Sequence, residues 1–177
     1  MADEGLDWSE VEEPMARQIL TQAETYLQSQ LQCAIAADGR ATSMAALFVT
    51  LALAALGAGF GYSNETDKLS PLLAGLASGA LLTAAASCAA WAARPIDFFF
   101  PGNVPSSWTA LRHERLATML GYEAENLEGH IAANDLALGE NQAAIRRAYW
   151  LAIAAPLAGA AAWLLPLICS SSPVGTA

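Results

Sequence analysis

MAALFVTLALAALGAGFGY, Met44–Tyr62, and PLLAGLASGALLTAAASCAAWAA, Pro71–Ala93, are two apolar runs without a charged side chain, separated by the polar joint Ser63–Ser70. Each has about the twenty residues a helix needs to cross a hydrocarbon core about 30 Å thick at about 1.5 Å per residue. The pair reads as a transmembrane hairpin. A third run, YWLAIAAPLAGAAAWLLPLIC, covers Tyr149–Cys169. Pro156 within it lacks a donor, so a kink is expected there, tolerable where neighbouring helices re-satisfy the freed carbonyl. The sequence thus predicts an all-α, multi-pass membrane protein: three transmembrane helices with a cytoplasmic helical stalk or bundle.

Composition agrees. Among 177 residues, 55% are hydrophobic and 14% charged, too apolar and too charge-poor for an ordinary soluble domain. The net charge of −9, with one lysine and seven scattered arginines, excludes a nucleic-acid partner, whose phosphates demand clustered cations. Cys33, Cys88 and Cys169 lie far apart, with no disulfide framework and no metal spacing. The first residues are acidic where a signal peptide is basic and apolar, so no cleaved targeting segment is expected.

Residues 1–13 carry six carboxylates and are expected to fray. A helix is expected over 14–40, starting near Pro14, where a missing N–H is no loss. Leu20, Ala23, Leu27, Leu31, Ala34 and Ile35 recur along it at three- and four-residue steps, a packing stripe. Gly39 either bends the chain or is passed at a cost of about 1 kcal/mol. The hairpin then occupies 41–93. Within it Gly57/Gly61 and Gly75/Gly79 form Gly-xxx-Gly pairs, a spacing that lets helix backbones approach in lipid. Ser70 is the expected N-cap of the second span, with Pro71 at its first position. Asn64-Glu65-Thr66 formally matches a glycosylation acceptor, a motif short enough to arise by chance.

Residues 94–148 open with Arg94-Pro95-Ile96-Asp97-Phe98-Phe99-Phe100-Pro101-Gly102-Asn103-Val104-Pro105, too rich in proline for a helix. Its three phenylalanines and Trp108 are expected at the membrane surface. A helix is expected to restart near Ser106 or Ser107 and run to Leu120, ended by Gly121, completing a three-helix bundle. From Tyr122 to Ala148, Ala124, Ile131, Leu138 and Ile145 repeat every seven residues, as do Leu120, Leu127, Asn134 and Asn141, giving an a/d heptad seam. The third span occupies 149–169, and 170–177 reads as a disordered tail. Arg40, Arg94, Arg112, Arg146 and Arg147 flank the same side of the spans, so the N-terminus and 94–148 are expected to be cytoplasmic and the C-terminus outside.

Two asparagines occupy seam positions where apolar residues belong. One reading is that they fix register or oligomer state at a cost in stability; replacing both with Leu should then stabilise the chain. The other is that their amides form a polar pocket for a small cytosolic ligand, with His130 and Glu123 or Asp135 beside them. A carboxamide donates and accepts in one plane, as pairing to a base edge requires.

No Asp, Glu, His, Lys or Arg lies within any span, which argues against an ion-coupled transporter acting alone. His113 and His130 lie outside the spans, and His113-Glu114 point to different parts of a helix surface. No HExxH, phosphate loop, serine elbow or paired-carboxylate motif occurs, so neither an enzyme nor a cofactor is expected.

The order of Asp38-Gly39-Arg40-Ala41 leading into the first span, Arg94-Pro95 closing the second, the aromatic stretch Phe98-Phe99-Phe100-Pro101-Gly102, then Leu127 to Ile131, Asn134 and a helix into the third span, resembles the transmembrane effectors of Pycsar anti-phage systems. The likeness covers about residues 24–168. Members of that family tend to have Lys at the position of Arg40 and Gly-Asp at Gly102-Asn103. The resemblance implies a homo-oligomeric cytosolic sensor for a cyclic nucleotide whose binding drives assembly and breaches the inner membrane; the candidate ligand-binding residues of this chain are Asn134, Asn141, His130 and Arg40. The alternatives are a non-enzymatic accessory or scaffold subunit of a larger membrane complex, and a holin-like pore former without a ligand.

Overall fold

The computed structural model describes residues 7–102, 105–109 and 112–170; the tail expected beyond Ser170 and the first six residues lie outside them. Four helices follow one another: α1 (Glu13–Thr66), α2 (Leu69–Ala92), α3 (Pro105–Thr109) and α4 (Leu116–Ser170), with no strand among the described residues. Three of them, α1, α2 and α4, are long and apolar enough to cross a membrane.

The helices are longer than the apolar runs. Gly39 does not bend α1, which passes through Asp38-Gly39-Arg40 without interruption. Its serines and threonines return their hydroxyls to the carbonyl one turn earlier: Thr42 to Asp38, Ser43 to Gly39 and Thr50 to Ala46, at 2.8–2.9 Å. Thr83 and Ser87 do the same on α2. Such hydroxyls need no partner from lipid. α1 also absorbs most of the expected joint, leaving Asp67 and Lys68 to reverse the chain. Asp67 takes φ +52°, a left-handed turn that aspartate tolerates, and the Ser63 hydroxyl closes it on the Lys68 carbonyl at 2.8 Å. Lys68, not Ser70, therefore holds the N-cap position of α2, without a side-chain cap. Pro71 still falls in the first turn, where no N–H is required.

The chain forms two compact units, Met1–Ala36 with Pro95–Gly139, and Ala37–Arg94 with Glu140–Ala177; α1 and α4 each contribute to both. In the first unit α1 and α4 run parallel. Trp8 and Ser9 meet Glu125 and Arg115, whereas Gln30 meets Ile131 and Asp135. Between these ends Ala16, Leu20 and Leu27 pack with Ala117, Leu120, Ala124 and Leu127, and Ala23 and Ile131 flank them. The stripe on α1 departs from expectation after Leu27. Gln30 is buried and Ile35 is 59% exposed, because the face toward α4 continues at Gln30.

Further expectations for this unit are corrected. Residues 7–12 do not fray: Trp8 is buried, and its indole N–H donates to Glu125 at 2.7 Å. No helix runs from 107 to 120 either; α3 has five residues, and Leu116–Leu120 open α4. Gly121 lies inside α4 rather than ending it. A Cβ there would collide with the Trp8 ring, so the glycine gives the indole its seat. Trp108 packs against the same core.

The second unit is built inside out relative to a water-soluble bundle. Its interior is mostly alanine, with Ala85, Ala86, Ala89, Ala148 and Ala155 around Phe48, Ala52 and Leu82, and a satellite of Ala41, Ala92 and Ala144 flanked by Ile145. Its large side chains face outward, among them Leu53, Trp150 and Leu157 at 66–69% exposed. Small residues bring the helices close, and the bulky surface suits hydrocarbon. This arrangement and the three spans place the chain in a membrane.

Only part of the expected glycine packing is present. Gly57 and Gly61 are exposed, and a Cβ at either would meet nothing within 4 Å. Gly59 is the residue on the α2 side: a Cβ at Gly59 would lie 2.9 Å from the Gly75 Cα, and one at Gly75 would lie 2.8 Å from the Ala55 carbonyl. Gly79 is covered by the Leu56 side chain. α4 passes through Pro156 and Pro166, and the Ser78 hydroxyl donates to the Ala155 carbonyl beside Pro156 at 3.1 Å.

Candidate functional site

The polar heart of the first unit lies where the apolar seam is interrupted. On α4, His130 and Asn134 are one turn apart and share a face. On α1, the same level is filled by Gln30. Asn134 is 1% exposed and uses both ends of its carboxamide on one residue: the Phe99 N–H donates to Oδ1 at 3.0 Å, and Nδ2 donates to the Phe99 carbonyl at 3.0 Å. Nδ2 also reaches Gln30 Oε1 at 3.4 Å. Gln30 Nε2 in turn donates to Asp135 Oδ1 at 2.7 Å and to the Ile131 carbonyl at 3.1 Å. The asparagine therefore engages one donor and one acceptor of a single residue.

The face of the same residue is also engaged. The Phe99 ring stacks on the His130 imidazole, with centroids 4.4 Å apart and planes 9° apart. Phe99 nevertheless remains 43% exposed and Phe100 64% exposed. His130 Nδ1 is buried and has no hydrogen-bond partner among the described residues. Buried polar atoms are rarely left so.

The expected ligand set is only partly assembled. Asn134 and His130 come together, and Asp135 joins through Gln30. Glu123 lies eleven residues before Asn134 on α4, about 16 Å along the helix. Asn141 and Arg40 belong to the second unit, where Arg40 is exposed and Asn141 is buried with Oδ1 unpartnered among the described residues. Leu127 and Ile131 line the core below the site, as the heptad requires; Leu138 is half-buried. Gln30 and Phe99 were not among the expected residues. The signal for Gln30 was weak: it lies three residues after Leu27, but Gln28 and Gln32 flank it and the stripe offered Leu31 instead. Phe99 gave none, because its backbone carries the contact.

No protein-family model, curated protein or solved structure matches this chain. The site must be read from its own geometry.

Other concave or charged features offer less. A groove of about 410 Å³ in the second unit is lined by Gly59, Tyr62, Gly75, Ser78, Pro156 and Trp163. Its Ser78 hydroxyl is already committed to Ala155. Arg94 pairs with Glu140 at 3.0 Å and lies over the Trp91 ring at 4.4 Å, an exposed contact of small energetic weight. No group of His, Cys, Asp and Glu suited to a metal occurs among the described residues.

Proposed function

We propose that this protein is an oligomeric effector of the cell inner membrane, in which a cytosolic helical part senses a small ligand of the cyclic-nucleotide class and drives membrane disruption in anti-phage defence. The observation that carries the reading is the Asn134 carboxamide, buried on a helix that continues in one piece into a span, and presenting a paired donor and acceptor next to a stacking imidazole. Asparagine pairs to bases in this way, and an aromatic platform binds any base face. The distribution of arginines supports an inside N-terminus and an outside C-terminus. Because α1 and α4 are continuous, a change in how they pack in the cytosol is passed to the spans as motion of the same helices.

A scaffold subunit of a larger membrane complex is the second reading, favoured by the fact that Asn134 already has partners within its own chain. The two separate in one experiment. The protein is purified in mild detergent, and its oligomer size is measured with and without nucleoside 3′,5′-cyclic monophosphates. A nucleotide-dependent change in assembly supports the sensor. Unchanged assembly, together with a partner protein copurifying at fixed stoichiometry, refutes it.

A further inference from the structure

We propose that Phe99 is an internal occupant of a recognition slot for a flat heteroaromatic ring with an adjacent donor and acceptor, and that residues 95–102 must lift before such a ring can enter. The inference rests on the sensing function proposed above and adds an autoinhibitory contact to it.

Three observations carry it. First, one residue satisfies both halves of the site: the Phe99 peptide fills the Asn134 edge at 3.0 Å in each direction, and its ring covers the His130 face at 4.4 Å. A ring that presents its own donor and acceptor to the asparagine while stacking on the imidazole makes the same set of contacts, so the two cannot coexist. Second, the segment is tethered at its middle. Among the described residues, no backbone-to-backbone hydrogen bond holds 95–102; Pro95 and Pro101 lack the donor, and Gly102 takes φ +91°, which only glycine adopts readily. Third, Phe99 is 43% exposed and Phe100 64% exposed, so the segment lies at the surface, and the face of His130 that Phe99 uncovers on lifting is covered again by the entering ring. Asn134 and Gln30 behave oppositely: they are buried and remain in place as the floor of the slot.

The arrangement predicts competition. A ligand binds the lifted form alone, so its apparent affinity is the intrinsic affinity multiplied by the fraction of molecules in which Phe99 is lifted. Replacing Phe99 with Ala removes the stack, and an aromatic pair of this kind corresponds to roughly a two- to tenfold change in affinity. The full chain in mild detergent is titrated with a panel of ribonucleosides and nucleoside 3′,5′-cyclic monophosphates, for wild type, Phe99→Ala, His130→Ala and Asn134→Ala. Hydrogen exchange at the Phe99 amide is followed in parallel.

The expected result is tighter binding by Phe99→Ala, weaker binding by His130→Ala and Asn134→Ala, and faster Phe99 exchange when wild type is saturated. Binding that is unchanged or weakened in Phe99→Ala overturns the latch and leaves ligand sensing standing. So does binding that survives both His130→Ala and Asn134→Ala, since the ligand then sits elsewhere. If no compound binds Phe99→Ala, and that variant melts like wild type, the slot and the sensing function both fall.

Discussion

Asn134 and Asn141 occupy equivalent heptad positions, yet their surroundings predict unequal responses to truncation. Asn134→Ala removes two hydrogen bonds of 3.0 Å to Phe99 and the longer one to Gln30, itself a buried residue at 5% exposed. At about 1 kcal/mol for each of the two short bonds, and about 1 more for leaving Gln30 Oε1 without its donor, the loss is about 3 kcal/mol. Asn141→Ala removes a carbonyl oxygen that is buried without a partner among the described residues. Releasing an unsatisfied acceptor is worth about 1–3 kcal/mol, which offsets the small void left behind. For a chain of this size about 1 kcal/mol corresponds to roughly 2–4 °C. Melting followed by far-UV circular dichroism in mild detergent should therefore place Asn134→Ala about 6–12 °C below wild type and Asn141→Ala within about 4 °C of it. An Asn134→Ala midpoint within about 2 °C of wild type, or an Asn141→Ala midpoint below that of Asn134→Ala, refutes the assignment.

Gly75→Ala should destabilise by about 1–3 kcal/mol, because its added methyl meets backbone rather than a side chain that can turn aside, whereas Gly57→Ala should be neutral or better; paired melts decide it. Trp8→Ala should cost about 3–5 kcal/mol in the first unit and open the N-terminal segment to limited proteolysis, a change absent if residues 7–12 were loose. The Ser9 hydroxyl and then the Ser9 N–H, 3.0 Å from Asp7 Oδ1, hold the Asp7 carboxyl below its ordinary 3.8. Its stabilising contribution is thus present above that pH and lost as the pH falls through the lower folded value, and Ser9→Ala should move its NMR titration upward. In a variant carrying Cys88→Ala and Cys169→Ala, the exposed Cys33 should react with a membrane-impermeant maleimide only from the cytoplasmic side; labelling from outside intact cells inverts the proposed orientation.

The spans, the helical class and the seam of α4 are legible in the sequence because each depends on a local quantity. Twenty consecutive uncharged residues decide the medium, and a seven-residue repeat decides the buried face, whatever lies opposite. Pairwise facts are not local. Which of three neighbouring glycines meets α2 depends on the rotation of α1, and the structure chooses Gly59 over Gly57 and Gly61. Gly121 reads as a helix stop until the Trp8 ring is seen to need its missing Cβ. The largest such gap concerns Asn134. Its type and position mark an interrupted seam, but its partner is the backbone of Phe99, and every residue has the same backbone groups. Only the folded path of 95–102 brings that peptide to the amide, and with it the question of what else the slot accepts.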